Sequence, residues 1–303
     1  MKIVLTGATG MIGLAIARMG IEKKHEIICL INPGSSRKEH IEKMENVRII
    51  ECSVNEYDSL ETDIKADIFI HLAWEKTFGA SRDDAEVQFR NIGHTISAAK
   101  LAKRMGCRMF IGAGSQAEYG PSEVDLTTSL KVNPESGYGI SKFAAGKLAA
   151  IYCKQNDIRF AWVRILSIFG PGDGKNTLIS YLINEFMEGR QPKLTKCEQI
   201  WDYLYCDDAA EAILSLAESD VDGKIYPLGS GNGRRLSEYV CDIRDIIDPS
   251  LEPLFGEIPY YPHQPMHLVA DISEITADTG WKPKTDFKEG IRKTVEALKA
   301  EQS

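Results

Sequence analysis

Thr6-Gly7-Ala8-Thr9-Gly10-Met11-Ile12-Gly13 directly follows the apolar run Ile3-Val4-Leu5 and leads into the helix-period stretch Met11–Met19. A strand, a turn with three glycines and a helix follow one another without a break. Glycine is needed where such a turn is tight and where an anion must lie against bare backbone, because a Cβ would intrude. The helix N-terminus offers that anion unpaired N–H donors and a partial positive charge. The spacing is G-x-x-G-x-x-G, one residue longer in its first gap than the usual dinucleotide fingerprint. Gly7, Thr9, Gly10, Met11, Ile12 and Gly13 are therefore candidates to hold a dinucleotide pyrophosphate.

The same alternation continues outward from this turn. Strands are predicted at Lys2–Leu5, Glu26–Ile31, Val47–Glu51, Asp67–Leu72, Arg108–Gly112 and Arg159–Ile165. Helices are predicted at Met11–Met19, from about Asp84 to Met105, and at Tyr138–Gln155. Short apolar runs separated by helical patterns are the signature of β-α-β units, so the expected class is α/β with a doubly wound parallel sheet. Beyond Phe169 the pattern breaks. Pro and Gly cluster at Phe169–Gly172, Pro227–Gly233 and Pro249–Pro265, which reads as a smaller C-terminal α/β cap over the sheet. We assign residues 1–165, with a returning segment at about 199–228, to a dinucleotide-binding domain, and 166–198 and 229–303 to a substrate-binding cap. A cleft between such parts is a common ligand site.

Composition narrows the partners. The 303 residues carry 36 Lys plus Arg against 44 Asp plus Glu, a net charge of −8, and the pI is near 5.4. That balance argues against nucleic acid or an anionic membrane as a general partner. No apolar run reaches the ~20 residues of a membrane helix. The apolar start is cut by Gly7, Gly10 and Gly13 and runs on into Arg18, unlike a secretory leader. Seven scattered cysteines without a C-x-x-C pair indicate neither a disulfide framework nor a metal site, and fit a reduced, cytoplasmic interior.

The end of the second strand reads on the cofactor. An Asp or Glu about 20 residues past the glycines would accept from a ribose 2′-hydroxyl. Here Leu30–Lys38 has no carboxylate, and the first is Glu39. Asn32 takes the expected place, while Ser35, Ser36, Arg37 and Lys38 are suited to surround a 2′-phosphate. The reading favours NADP, with NAD as the alternative.

Tyr138 and Lys142 form Y-x-x-x-K, with Ser115 upstream at the end of a strand. Positions four apart share a helix face, so phenol and ammonium project together. A phenol of pKa ~10 is a poor base at neutral pH, and an adjacent cation lowers an acid by roughly 1–3 units. Tyr138 is thus expected to be an acidified proton donor and acceptor for a carbonyl or alcohol oxygen, with Ser115 bonding the same oxygen.

With these motifs in place the chain resembles the extended short-chain dehydrogenase/reductases, specifically the NAD(P)-dependent epimerase/dehydratase family acting on nucleotide sugars. The likeness runs through Gly7–Gly13, Asp67–Ala73, Gly114–Gly120, Tyr138–Lys142, Arg164–Gly172, Trp201–Asp208 and Gly280–Pro283. It implies a Rossmann-type sheet and a catalytic Ser115, Tyr138 and Lys142, with Lys142 also on the nicotinamide ribose. It implies adenine contacts at Ser53 and Val54, where Ser53 departs from the family's Asp, and a cofactor path over Leu72 and Ala73. Asn91 matches a family asparagine of structural character, and His71 reads as a hydrogen-bonded structural histidine.

On the substrate side the resemblance points to Trp74, Gln116, Glu118, Tyr119, Ser167 and Trp201. Ser167 stands where the family has Asn, and Trp201 where it has an arginine. A second diphosphate arginine has no counterpart in Pro262–Asp271, so Arg234, Arg235, Lys175 and Lys193 are the substitutes offered. After Ser115 comes Gln116 rather than an Asp-Glu pair, which disfavours water loss, although Glu118 stands nearby. The function implied is NADP-dependent reduction of the 4-keto group of a nucleotide-activated deoxysugar. The alternatives are an NAD-dependent 4-epimerase or, in another class, a non-catalytic dinucleotide sensor. A homodimer through Ile92–Met105 and Phe143–Gln155 is expected from the family.

Overall fold

Alternate residues of each central strand bury their side chains on opposite faces, and both faces are apolar. Ile3, Leu5, Ile68 and Ile70 enter one core, while Val4, Phe69 and Phe110 enter the other. A strand apolar on both sides demands a helical layer above and below it. The computed structural model, which describes residues 1–261 and 264–302, has that arrangement. Its large sheet is built from β1 (Lys2–Thr6), β2 (Glu26–Ile31), β3 (Val47–Glu51), β4 (Ile68–His71), β5 (Met109–Ser115) and β6 (Arg159–Ile165). A later strand, β11 (Lys224–Leu228), completes it. All pairings are parallel, in the order β11-β6-β5-β4-β1-β2-β3. The order reverses between β1 and β4, and in such sheets ligands bind at the carboxyl ends beside that switch point.

One face carries α1 (Met11–Glu22), α2 (Lys38–Glu42) and α6 (Cys206–Glu218). The other carries α3 (Ala85–Arg104) and α4 (Gly137–Gln155). The predicted strand at 108–112 runs on to Ser115. Gly112 and Gly114 look like turn residues, yet they lie in β5 because the Trp162 indole crosses them, and a Cβ at either would collide with it.

The cap is made of short pieces. β7 (Ser167–Phe169) pairs with β10 (Tyr203–Tyr205), and β8 (Lys193–Leu194) with β13 (Leu254–Phe255). β9 (Ile200–Trp201) lies between β12 (Arg234–Arg235) and β14 (His267–Leu268). With α5 (Leu178–Met187), α7 (Leu236–Ile247), α8 (Ser273–Thr279) and α9 (Phe287–Gln302) they complete the chain. The returning segment expected from 199 rejoins the layer over the large sheet at Cys206, since Ile200–Trp201 belongs to the small sheet. Asp202, fully buried, ties these parts together by accepting from the backbone of Ser230, Gly231 and Ala270. All seven cysteines are free. Among the described residues no helix is long and apolar enough to cross a membrane.

Candidate active site

The glycine turn sits at the switch point. Gly7 has φ +71°, and a Cβ there would lie 2.8 Å from the Ala73 nitrogen, while one at Gly13 would collide with the Gly7 carbonyl. Packing alone thus demands these two glycines. Gly10 differs: a Cβ would meet nothing closer than the Gly7 oxygen at 3.4 Å. Gly10 is the N-cap of α1 without a side-chain cap, and Gly10, Met11, Ile12 and Gly13 line a cleft of about 590 Å³. A bare helix N-terminus opening on such a cleft fits a pyrophosphate.

A neighbouring pocket of about 350 Å³ is lined by Thr9, Leu30, Asn32, Ser35, Cys52, Val54, Tyr57, Leu72 and Ala73. Its place beyond the turn, between the ends of β1, β2 and β4, suits an adenosine. No carboxylate from the end of β2 enters it. Asn32 Oδ1 accepts from Gly34 N–H at 3.0 Å, and Ser35 donates to Thr9 at 3.1 Å. Two expected contacts do not line this pocket. Ser36 is exposed, and Ser53 caps the next turn, its N–H donating to Glu56 at 2.7 Å. Arg37 crosses the groove instead: its Nη1 donates to the Gly172 carbonyl at 2.9 Å, and it lines the main cleft. Lys38 pairs with Glu42 and Glu51 and lines neither pocket.

Ser115, Tyr138 and Lys142 converge in the main cleft. Ser115 ends β5, and the other two sit one turn apart near the start of α4, whose N-cap Ser136 accepts from Gly139 N–H at 3.1 Å. The phenol is not acidified as its spacing to Lys142 predicts. Burial pushes Tyr138 above the ordinary phenol value, while Ser115 and Arg82 pull it back only in part. Lys142 is itself buried. Its Nζ donates to the Ala113 carbonyl at 2.7 Å and stands 3.9 Å from the Trp74 ring centre. Burial pulls its ammonium down to about 7, against the raising influence of Glu118. His71 behaves as expected of a structural group. It is shared between Thr6 (2.8 Å) and Thr95 (3.4 Å), and burial lowers it to about 3, so it is neutral.

The segment Trp74–Asp84 forms one wall of the cleft, fastened by two buried amides of α3. Gln88 accepts from Trp74 Nε1 and donates to the Lys76 and Ser81 carbonyls. Asn91 pairs with both backbone groups of Glu75. This wall delivers a group the sequence reading missed: the Arg82 guanidinium lies 4.5 Å above the Tyr138 ring. Thr77, Phe78, Asp173, Thr177 and Tyr203 also line the cleft without having been foreseen. Nothing in their spacing marks them, since Thr77, Phe78, Asp173 and Thr177 come in on irregular segments and Tyr203 on the short strand β10.

Of the expected substrate contacts, Trp74, Gln116, Ser167 and Trp201 line the cleft, and Trp201 Nε1 donates to Ser167 at 2.8 Å. Glu118 does not. It is 1% exposed, turned beneath Ser115, and held by Trp162 and Arg164. Tyr119 is buried under the Arg164 guanidinium. Arg234 is no cleft cation either, since it is spent on Glu238 and Asp242. Arg235 and Lys193 are exposed, and Lys175 lines a separate groove behind Arg37. Of the Pro262–Asp271 stretch, Pro262 and His263 lie outside the described residues.

Residues 3–229 match the family described as NAD dependent epimerase/dehydratase. The chain is 25% identical over 308 residues to the CDP-abequose synthase of Salmonella typhimurium, covering 98% of each protein. It is 26% identical over 337 residues to the dTDP-glucose 4,6-dehydratase of the same organism, covering 98% of this chain and 92% of that one. In fold it resembles the UDP-glucose 4-epimerase of Thermotoga maritima, with a TM-score of 0.88 at 21% identity over the whole of both chains.

Proposed function

The chain belongs to the NAD dependent epimerase/dehydratase family, and from that premise we propose that it is an NADP-dependent reductase of the 4-keto group of a nucleotide-activated deoxysugar. The coarser statement follows from membership: this is a nucleotide-sugar enzyme of the NAD(P)-dependent short-chain dehydrogenase/reductase type. Membership among enzymes also sets aside the non-catalytic sensor.

One observation carries the finer reading. The cleft joining the glycine turn to Ser115, Tyr138 and Lys142 contains a single lining carboxylate among the described residues, Asp173. Asp173 is already bound by Thr177 and Gly174 N–H. Elimination of water needs an acid and a base beside the sugar. Glu118, the carboxylate after Ser115, is sealed beneath the strand end. A site with the Tyr138 phenol beside Ser115 and no free carboxylate pair is suited to proton transfer at one oxygen.

When bound, NADPH supplies the hydride. Ser115 then hydrogen-bonds the ketone oxygen and steadies its developing charge, and Tyr138 gives that oxygen its proton. Lys142 holds a positive charge behind the phenol, and the Trp74 and Trp201 faces suit the rings of a sugar nucleotide. The carboxylate-free end of β2 supports NADP. The alternative of a 4-epimerase retaining NAD draws on Arg37, whose Nη1 serves Gly172 rather than the adenosine pocket.

We propose a homodimer, because Ile140, Leu148 and Ile151 form an apolar stripe on α4 that is 47–53% exposed, and a cytoplasmic setting, which the seven free cysteines suit. The deciding experiment mixes the enzyme with NADPH and a nucleotide 4-keto-6-deoxysugar. Equimolar loss of NADPH supports the reductase. Interconversion of two alcohol epimers with no net NADPH loss establishes the epimerase.

A further inference from the structure

Beneath the cleft, out of reach of any substrate, three donors from two strands converge on one buried carboxylate. Glu118 Oε1 accepts from the Ser115 N–H at 2.8 Å and from Trp162 Nε1 at 2.9 Å, and Oε2 accepts from Arg164 Nε at 2.9 Å. Glu118 is 1% exposed and Arg164 3%. The fit leaves no slack, since a Cβ on Gly114 would collide with both Glu118 Oε1 and Trp162 Nε1. A buried ion pair is a poor device for stability alone, because apolar side chains of the same volume commonly serve as well. Its use is to be sought in what it holds.

We propose that Glu118 is a positioning residue for proton transfer: its carboxylate fixes the backbone of Ser115 at the end of β5 and sets a buried negative charge beneath the proton-transfer group. This rests on the reading of Ser115, Tyr138 and Lys142 as the proton-transfer group.

The charged and titratable groups around Lys142 come from five elements, Glu118 itself from the turn Gln116–Glu118. Tyr138 shares its helix, and neutral His71 comes from β4. Arg82 comes from the wall segment by way of the Tyr138 ring, and Arg164 of β6 stands behind Glu118. Glu118 is the anion that acts on both catalytic groups, raising Lys142 and Tyr138 alike. Removing its charge therefore moves both downward. Removing the charge of Arg164 leaves Glu118 uncompensated and moves both upward. A merely structural role predicts no such pair of opposite signs.

The test uses the full chain with 13C-labelled lysine, the Lys142 signal being assigned by its loss in Lys142→Arg. Its titration midpoint, near 7 in the wild type, is expected to fall by about one pH unit in Glu118→Gln and to rise in Arg164→Gln. Glu118→Asp, which keeps the charge but shortens the reach to Ser115, is expected to keep the midpoint while kcat drops roughly tenfold with KM little changed. Midpoints identical in wild type and Glu118→Gln overturn the proposal, as does a Glu118→Asp midpoint that follows Gln. Should Glu118→Gln not fold, the Arg164→Gln and Glu118→Asp midpoints decide it. The titration needs no substrate, so it stands or falls separately from ketone reduction.

Discussion

The Lys142 ammonium rests 3.9 Å from the centre of the Trp74 ring, while its distance to the Tyr138 ring centre is 5.8 Å. A desolvated cation over an indole face gains about 2 kcal/mol, which offsets part of the cost of burying it. Trp74 is itself held by Gln88 and packs edge-on against Tyr138. The indole is thus both a wall of the cleft and a support for the charge. Trp74→Leu is expected to move the alkaline limb of the kcat profile to lower pH by about one unit, since 1.36 kcal/mol is one unit. Trp74→Phe, which keeps an aromatic face, is expected to move it less. Equal shifts in the two variants would show that ring electrostatics are not involved.

Tyr138→Phe removes the proton and little else, because the ring packs between Arg82 and Trp74 without the hydroxyl. Turnover is expected to fall by about 10²–10⁴-fold. NADP affinity, measured by tryptophan quenching, is expected to stay within about twofold. Substantial activity in this variant would remove the phenol from the mechanism.

Arg37 tells the cofactors apart only if it gives up the Gly172 carbonyl for a 2′-phosphate, as the NADP reading requires. Its side chain lines the cleft beside Gly10 and Met11 while donating to Gly172. A charge-assisted hydrogen bond to a phosphate is worth about 1.5–3 kcal/mol. Arg37→Ala is therefore expected to weaken NADP roughly tenfold or more and to leave NAD almost unchanged. Calorimetric titration of both cofactors checks this, and equal losses for the two would favour the 4-epimerase reading.

Much of this architecture is legible in the residues, and the exceptions share a cause. The strands Glu26–Ile31 and Arg159–Ile165 carry their own bounds, because burial on both faces gives each an unbroken apolar run, Ile27–Ile31 and Phe160–Val163. The glycine turn and the Y-x-x-x-K pair are local, so spacing alone brings their members together. Glu118 misleads because the 3₁₀ turn Gln116–Glu118 folds it back under Ser115, which no spacing rule records. Arg82 is invisible for a similar reason: an irregular segment carries it, fastened at Ser81 by Gln88 of α3, which reads as an ordinary helix residue. The acidified phenol fails on energetics, since the pairing predicts charge proximity but not the depth of burial.

The stripe Ile140, Leu148 and Ile151 gives the dimer a direct test. These side chains lie along one face of α4, and α3 beside it exposes Phe89. Leu148→Glu places a charge in the middle of that stripe, far from the cleft lining. Light scattering after gel filtration is expected to give twice the 33.7 kDa chain mass for the wild type and the single mass for the variant. A wild type that elutes as a monomer at tens of micromolar defeats the dimer.

His71 makes the fold acid-sensitive. Its folded value, about 3, lies below the ordinary histidine value near 6.5 because burial between Thr6 and Thr95 penalises the imidazolium. Between those two pH values the unfolded chain binds the proton and the folded chain does not. Stability from this group is complete above pH ~6.5 and is lost as pH falls toward 3, at up to about 1.4 kcal/mol per pH unit. His71→Gln keeps hydrogen-bonding capacity for the two threonines and cannot titrate. It is expected to be less stable at pH 7, where the wild-type packing is intact, yet to lose less stability between pH 7 and pH 5. Urea unfolding at the two pH values measures both slopes. Because every other titrating group is common to the two proteins, the difference between slopes isolates His71, and parallel slopes would mean that this imidazole titrates in the folded chain as it does in the unfolded one.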